Sequence, residues 1–167
     1  AESPTITCLP RVNPNMQIGV IGLGGGGNRI VDSLASQLSN GSSVLDAAYA
    51  IDSVERSLEA LEHIPESNRV TTGRFRNGND TDGNLEAGAN LVSDQLDHIA
   101  ESLKTSNFEQ TDAYLVVTCL GGGMAGGASH LIEFLPALTP KPVYAVVVAP
   151  DVDESARSQL NAAVNFN

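Results

Sequence analysis

Hydrophobic and polar residues follow one another in blocks along this chain, and the blocks predict strands and helices in alternation. Continuous apolar runs are typical of strands that are covered on both faces of a sheet. The predicted strands are residues 16–22, 47–52, 69–72, 113–119 and 142–149. The last of these runs is expected to be buried like the others.

Segments between the strands carry apolar residues every three or four positions, the spacing of one face of a helix. One predicted helix follows Asn28, and two more cover about 53–62 and 84–103. A fourth ends at Pro136, and a fifth covers about 153–164. For the last helix, the pattern predicts an inner face made of Ala156, Leu160, Ala163 and Val164.

Regular alternation of strands and helices predicts an α/β fold with a doubly wound, mostly parallel sheet and helices on both faces. Residues 16–167 are expected to form this one domain. Residues 1–15 contain three prolines and no clear period, so we expect an arm or tail there. In sheets of this kind, ligands bind beyond the carboxyl ends of the strands.

Acidic residues dominate the charge, with 20 acids, 9 bases and a net charge of -11. Nucleic acids and anionic membranes would be repelled, so neither is expected as the main partner. No apolar run approaches the length of a membrane span, and no membrane insertion is predicted. Cys8 and Cys119 suggest neither a disulfide nor a metal site, which favours a cytoplasmic location. The acidic, lysine-poor composition resembles that of haloarchaeal proteins.

The first glycine-rich segment lies directly after the first predicted strand and before a helix. Gly22, Gly24 and Gly27 match the spacing G-x-G-x-x-G, which lets an anion approach backbone N–H groups at a helix N-terminus. Asp52 ends the second strand, where a Rossmann domain keeps the acid that binds a ribose. An NAD-binding Rossmann enzyme is therefore one alternative, and a simple helix cap is the other interpretation of Asp52.

The second glycine-rich segment, residues 121–127, is the more specific signal. It holds five glycines in seven residues between a strand and a helix. Ordering so many glycines is costly, and a second site for an anion on bare backbone would explain it. A dinucleotide-binding domain has no need of this second segment. Neither segment supplies the lysine of a Walker loop.

Together these motifs resemble the tubulin/FtsZ superfamily, and most closely its archaeal CetZ and other FtsZ-like branches. The sequence GGGMAGG is similar to the family's G-G-G-T-G-[TS]-G signature, and GLGGGGN to its first loop. NLEAG at 84–88 and DESARSQLNAA at 153–163 resemble further loops of the family. The resemblance covers roughly residues 16–167 and implies a nucleotide-binding domain.

The resemblance implies a guanine-nucleotide site for GTP or GDP. The residues expected to bind the nucleotide are Gly24, Gly25, Gly26, Asn28, Arg29, Gly122, Gly123, Met124, Ala125, Gly126 and Glu154. No catalytic residue and no protein-only metal site are predicted, because the three histidines lack metal spacing. Acids such as Asp80 and Asp151 would repel a phosphate unless Mg²⁺ intervened, so Mg²⁺ is a candidate cofactor.

Two departures from the family pattern bear on function. Met124-Ala125 stands where the family has threonine and glycine. The family's central helix, C-terminal domain and catalytic acidic loop would follow Asn167, so this chain is not expected to hydrolyse GTP alone. We therefore predict a GTP- or GDP-binding domain of a filament-forming protein that assembles head to tail. The alternative is a nucleotide-independent assembly module.

Overall fold

A five-stranded parallel sheet organises the part of the chain that the structure describes. The computed structural model describes residues 16–38, 45–73, 80–104 and 107–166, so the predicted arm at 1–15 lies outside the described residues. The strands are β1 (Ile18–Leu23), β2 (Leu45–Asp52), β3 (Arg69–Thr71), β4 (Ala113–Cys119) and β5 (Val143–Val148). Their order is β3-β2-β1-β4-β5, and all four pairings are parallel. The predicted doubly wound α/β fold is confirmed.

Helices connect the strands and cover both faces of the sheet. They are α1 (Gly24–Leu38), α2 (Glu55–Glu59), α3 (Leu85–Asp94), α4 (Leu96–Lys104), α5 (Ala128–Leu138) and α6 (Ala156–Asn165). Short 3₁₀ turns cover Glu66–Asn68, Asn107–Gln110 and Gly123–Gly127. No helix within these described ranges is both long and apolar enough to cross a bilayer.

Neighbouring residues of the central strands point to opposite faces, and each face has its own apolar cluster. Val20 packs in one cluster with residues of α1 and α2, such as Val31 and Leu58. Ile21 packs in the other with residues of α3, α4 and α5, such as Val92. Because helices cover both faces of the sheet, residues that point to either face are apolar, and the strand is apolar along its whole length.

Several helix boundaries differ from the sequence prediction. Helix α5 continues through Pro136 to Leu138, where the sequence predicted an end at Pro136, and α2 ends at Glu59, before the predicted residue 62. Helix α1 begins at Gly24, inside the first glycine segment. Gly24 has a φ of 75°, which glycine adopts at little cost and which allows the chain to turn from β1 into the helix. The predicted helix over 84–103 is interrupted at Gln95, which has a φ of -114° and separates α3 from α4. The apolar stripe continues across the break, and periodicity alone therefore did not reveal it.

The burial predicted for the last strand and helix was wrong. Strand β5 is a sheet edge, and Tyr144 is 60% exposed. In α6, Leu160 is 64% and Val164 59% exposed, whereas Asn161 is the buried residue of this fully described helix. Apolar composition predicts which residues could be buried. Whether another element covers them depends on tertiary packing. Asn161 can be buried because its side-chain amide donates to the backbone carbonyls of Gly83 and Gly121.

Glycines let α3 pack directly on the second glycine segment. A Cβ atom at Gly88 would lie 2.0 Å from the Gly123 carbonyl oxygen, and one at Gly126 2.0 Å from the Leu85 carbonyl oxygen. A Cβ at Gly127 would lie 2.3 Å from the side chain of Val92. Part of the glycine content of residues 121–127 therefore serves main-chain packing, whereas the sequence interpretation assigned it to anion binding.

We expect Gly88→Ala to destabilise the protein by about 1–3 kcal/mol, because the added methyl overpacks the contact with Gly123. The sign of the change is informative, since glycine to alanine inside a helix otherwise stabilises by up to about 1 kcal/mol. Urea unfolding followed by circular dichroism gives the free energy. Ser93→Ala, on the exposed side of α3, is the matched control and should be neutral or slightly stabilising. A Gly88→Ala variant as stable as wild type would contradict the packing argument.

Candidate functional site

Both glycine segments line one cleft at the carboxyl ends of β1 and β4. The cleft has a volume of about 270 Å³. Its lining residues are Leu23, Gly24, Gly25, Gly26, Arg29, Asp52, Val54, Ser57, Asp80, Thr81, Cys119, Gly122, Gly123, Met124 and Ala125. The predicted convergence of the two segments is therefore confirmed. Eight of the eleven predicted binding residues are in this set.

The first segment presents the start of α1 to the cleft. The first N–H groups of a helix have no partner within the helix, and they attract anions. A Cβ atom at Gly25 would come no closer than 3.7 Å to any neighbour, so the backbone there is open. The first turn of α1 also contains no acidic residue that would occupy these N–H groups. This arrangement suits a phosphate group.

The second segment meets the first directly. A Cβ atom at Gly24 would lie 2.9 Å from the Cβ of Met124, so the two segments are in close contact. Met124 is 5% exposed, and it packs in an apolar cluster of the core. It also borders the cleft. The side chain that departs from the family pattern thus fills space beneath the cleft.

Asn28 lies outside the lining of the cleft and connects α1 to β2. Its side chain is 1% exposed. The Nδ2 group donates to the Ile51 carbonyl at 3.1 Å, and the Oδ1 atom accepts from the Ile51 N–H at 3.3 Å. The amide therefore pairs with the end of β2 as a neighbouring strand would. It fixes the position of the first turn of α1.

Two other predicted residues also lie outside this lining. Gly126 packs against the Leu85 carbonyl in α3. Glu154 is exposed, and its Oε1 atom accepts from the Asp151 N–H at 3.3 Å. The lining of the cleft therefore does not support the prediction that Gly126 and Glu154 contact a nucleotide.

Asp52 lies between the end of β2 and the cleft, and its side chain is not the cap of α2, whose N-cap position is Val54. Its Oδ1 atom accepts from the N–H groups of Ser53 at 2.7 Å and Val54 at 3.3 Å, in the turn just before α2. The residue also borders the cleft, where Asp80 lies as well. Burial raises the pKa of Asp52, and the charge of Asp80 adds to this, whereas the hydrogen bonds oppose it. Two carboxyl groups thus face the space for an anion.

Arg29 is the only basic side chain among the described residues that line the cleft. Its Nε group donates to the Gly25 carbonyl at 3.1 Å, which holds the guanidinium beside the first segment. Cys119 is half-buried next to it. Burial raises the pKa of the Cys119 thiol, Arg29 lowers it and Glu154 raises it, so the net direction is upward. The thiol therefore stays protonated at neutral pH.

Seven residues that line the cleft were not in the predicted binding set: Leu23, Asp52, Val54, Ser57, Asp80, Thr81 and Cys119. Val54 and Ser57 come from the start of α2, directly after β2. The rule that ligands bind beyond strand ends could have indicated them. Asp80 and Thr81 belong to a loop that only the tertiary fold brings to the cleft.

Comparison with known proteins identifies the family to which this sequence and fold are similar. A model of the tubulin/FtsZ family, GTPase domain, matches residues 17–167. The tubulin-like protein CetZ4 of Haloferax volcanii is 36% identical over 152 residues, which are 89% of this chain and 38% of CetZ4. CetZ1 of the same organism is 32% identical over 154 residues, 90% of this chain and 39% of CetZ1. The chain thus spans about two-fifths of the curated relatives it matches.

Solved structures of two such proteins have the same fold. The GDP-bound monomer of CetZ1 from Haloferax volcanii superposes with a TM-score of 0.86 at 32% identity, covering 90% of this chain and 47% of that one. The GTPγS-bound protofilament of CetZ2 gives 0.83 at 28% identity, covering 90% and 45%. Fold, cleft and family match all agree, and the chain therefore belongs to the tubulin/FtsZ family, whose GTPase domain it matches from residue 17 to residue 167.

Proposed function

We propose that this chain binds GTP or GDP in the cleft described above. The observation that carries the proposal is the convergence of the two glycine segments, at Gly24–Gly26 and Gly122–Gly123, on one space. The backbone is open at Gly25 and Gly122, where an added Cβ would come no closer than 3.7 Å to a neighbour. The CetZ1 structure is a GDP-bound monomer, and the CetZ2 structure contains GTPγS. These two relatives support a guanine nucleotide as the ligand.

The chain further acts, in this proposal, as the nucleotide-binding domain of a cytoskeletal filament protein in the cytoplasm. The CetZ2 structure is a protofilament, which supports self-association. Head-to-tail assembly would bury the nucleotide between subunits, and hydrolysis of GTP would depend on groups supplied by a neighbouring subunit. This chain holds the phosphates and positions them for that partner.

Mg²⁺ is proposed to accompany the nucleotide, because the charges in the cleft require it. Asp52 and Asp80 oppose the single guanidinium of Arg29 among the described lining residues. No group of three His, Cys, Asp or Glu residues that could hold a metal occurs in the described part of the chain. Mg²⁺ is commonly held by one or two carboxylates together with substrate phosphates, which fits this donor set. The ion would reduce the repulsion between carboxylates and phosphates.

A second candidate function is assembly that does not need a nucleotide. Met124 and Ala125 are 5% and 3% exposed, so both side chains are part of the packed interior. Packing within the protein therefore accounts for both side chains without a contact to a phosphate. In this alternative the fold serves as an assembly surface, and the cleft has lost its ligand.

We expect saturable binding of fluorescent GTP at one site per chain, with competition by GDP and none by NAD, measured in high salt. Gly25→Ala is the decisive variant, because its methyl has room within the protein but enters the cleft. Loss of backbone hydrogen bonds to a charged phosphate should weaken GTP binding by at least about tenfold. The free energy of unfolding of the variant should not fall. Ser33→Ala, on the exposed side of α1, should bind like wild type. Intact circular dichroism without any saturable binding would exclude the proposal.

We expect Mg²⁺ to strengthen GTP binding by at least about tenfold over EDTA, because it offsets the charges of Asp52 and Asp80. Asp52→Asn should tighten binding in EDTA and reduce the Mg²⁺ enhancement to within about threefold. Glu55→Gln removes an exposed charge from α2 outside the lining of the cleft and should retain the full enhancement. An Asp52→Asn variant with unchanged Mg²⁺ dependence would contradict the assigned electrostatic role.

We expect filament formation to require GTP, since the proposed nucleotide lies between subunits. Light scattering and electron microscopy with and without GTP test this, and Gly25→Ala should assemble poorly. Filaments of the same yield with and without nucleotide, in wild type and variant alike, would instead support the nucleotide-independent alternative.

A further inference from the structure

Helix α6 has its polar side facing the domain and its apolar side facing out. Asn161 is 7% exposed, and it is the buried residue of this helix, every position of which the structure describes. Leu160 and Val164, its neighbours on the apolar side, are more than half exposed. A buried asparagine costs free energy unless its amide is paired, so its partners indicate what the helix does.

The Asn161 amide joins two separate segments that border the cleft. Its Nδ2 group donates to the Gly83 carbonyl at 2.8 Å and to the Gly121 carbonyl at 3.0 Å. Gly83 belongs to the loop that carries Asp80 and Thr81 into the cleft. Gly121 is the first residue of the second glycine segment, of which residues 122–125 line the cleft. One side chain thus uses both N–H groups to bridge the two walls of the cleft.

Both carbonyls belong to backbone that helix and sheet hydrogen bonds do not hold. Asp82 and Gly83 have φ values of 50° and 70°, so this turn adopts the left-handed region at two consecutive residues. The loop also lies tightly against the second segment, because a Cβ at Gly123 would be 2.3 Å from the Thr81 Oγ1 atom. A shift of either segment would therefore change the shape of the cleft between them.

We propose that Asn161 is a positioning residue for the nucleotide cleft: it holds the loop around Gly83 and the segment after Gly121 at the separation that the ligand requires. Asn161 is not among the residues that line the cleft, so it acts through the two carbonyls. The inference rests on the proposed nucleotide binding for its functional consequence. The structural link between the two segments can be tested without any nucleotide.

The test compares Asn161→Ala with Asn165→Ala. Asn165 lies one turn later on α6 and donates to the Leu120 carbonyl at 3.4 Å, but it does not reach the loop around Gly83. Amide hydrogen exchange without nucleotide should be faster in Asn161→Ala at residues 81–84 and 121–125, and unchanged in β1 and β2. The dissociation constant for fluorescent GTP, measured well below the melting temperature, should rise about tenfold, as expected for loss of two hydrogen bonds. Asn165→Ala should change it less than threefold.

Three results would overturn the inference. The first is exchange that accelerates equally over the whole domain, since Asn161 would then only stabilise the fold. The second is exchange at the two segments that stays as slow as in wild type. The third is GTP affinity in Asn161→Ala within twofold of wild type. If wild-type protein itself does not bind GTP, the proposed function fails, and the exchange measurement still decides whether Asn161 links the two segments.

Discussion

The parallel pairing of β1 with β4 is the constraint on which the candidate site depends. Gly22 lies opposite Val117 and Leu23 opposite Thr118, so both strands end at the same edge of the sheet. The Thr118 Oγ1 group donates to the Leu23 carbonyl at 3.1 Å and ties these two ends together. The two glycine segments leave the sheet from there. They meet because the register of one strand pair brings them together.

Small residues then allow main chain to approach main chain around this edge. A Cβ at Gly27 would lie 2.3 Å from the Val117 carbonyl oxygen, so the first turn of α1 packs on β4 itself. Gly88 and Gly126 allow the same closeness between α3 and the second segment. The glycine clusters therefore have two physical functions. Gly25 and Gly122 leave backbone open toward the cleft, and Gly27, Gly88 and Gly126 allow the close packing that holds the open backbone in place.

The site and its supports could be predicted to different extents. The strand–glycine–helix order predicted that residues near Gly24 and Gly122 would share a cleft, because parallel strands end at a common edge. The positions of Asp80, Thr81 and Asn161 could not be predicted in this way. Asp80 and Thr81 lie on a loop whose path depends on the turn at Asp82-Gly83. Asn161 appeared as one polar residue in an amphipathic helix, and only the carbonyls it faces reveal its function.

The sequence by itself determined the parallel α/β architecture and the edge of the sheet that carries the cleft. Both follow from local periodicity and from the glycine positions, which act over a few residues. The tertiary structure decided which faces are buried and which side chains meet. Strand β5 is apolar yet exposed, and α6 turns Asn161 inward, because burial depends on what packs against an element. Hydrogen bonds between residues 40 or 78 positions apart leave no periodic trace in the sequence.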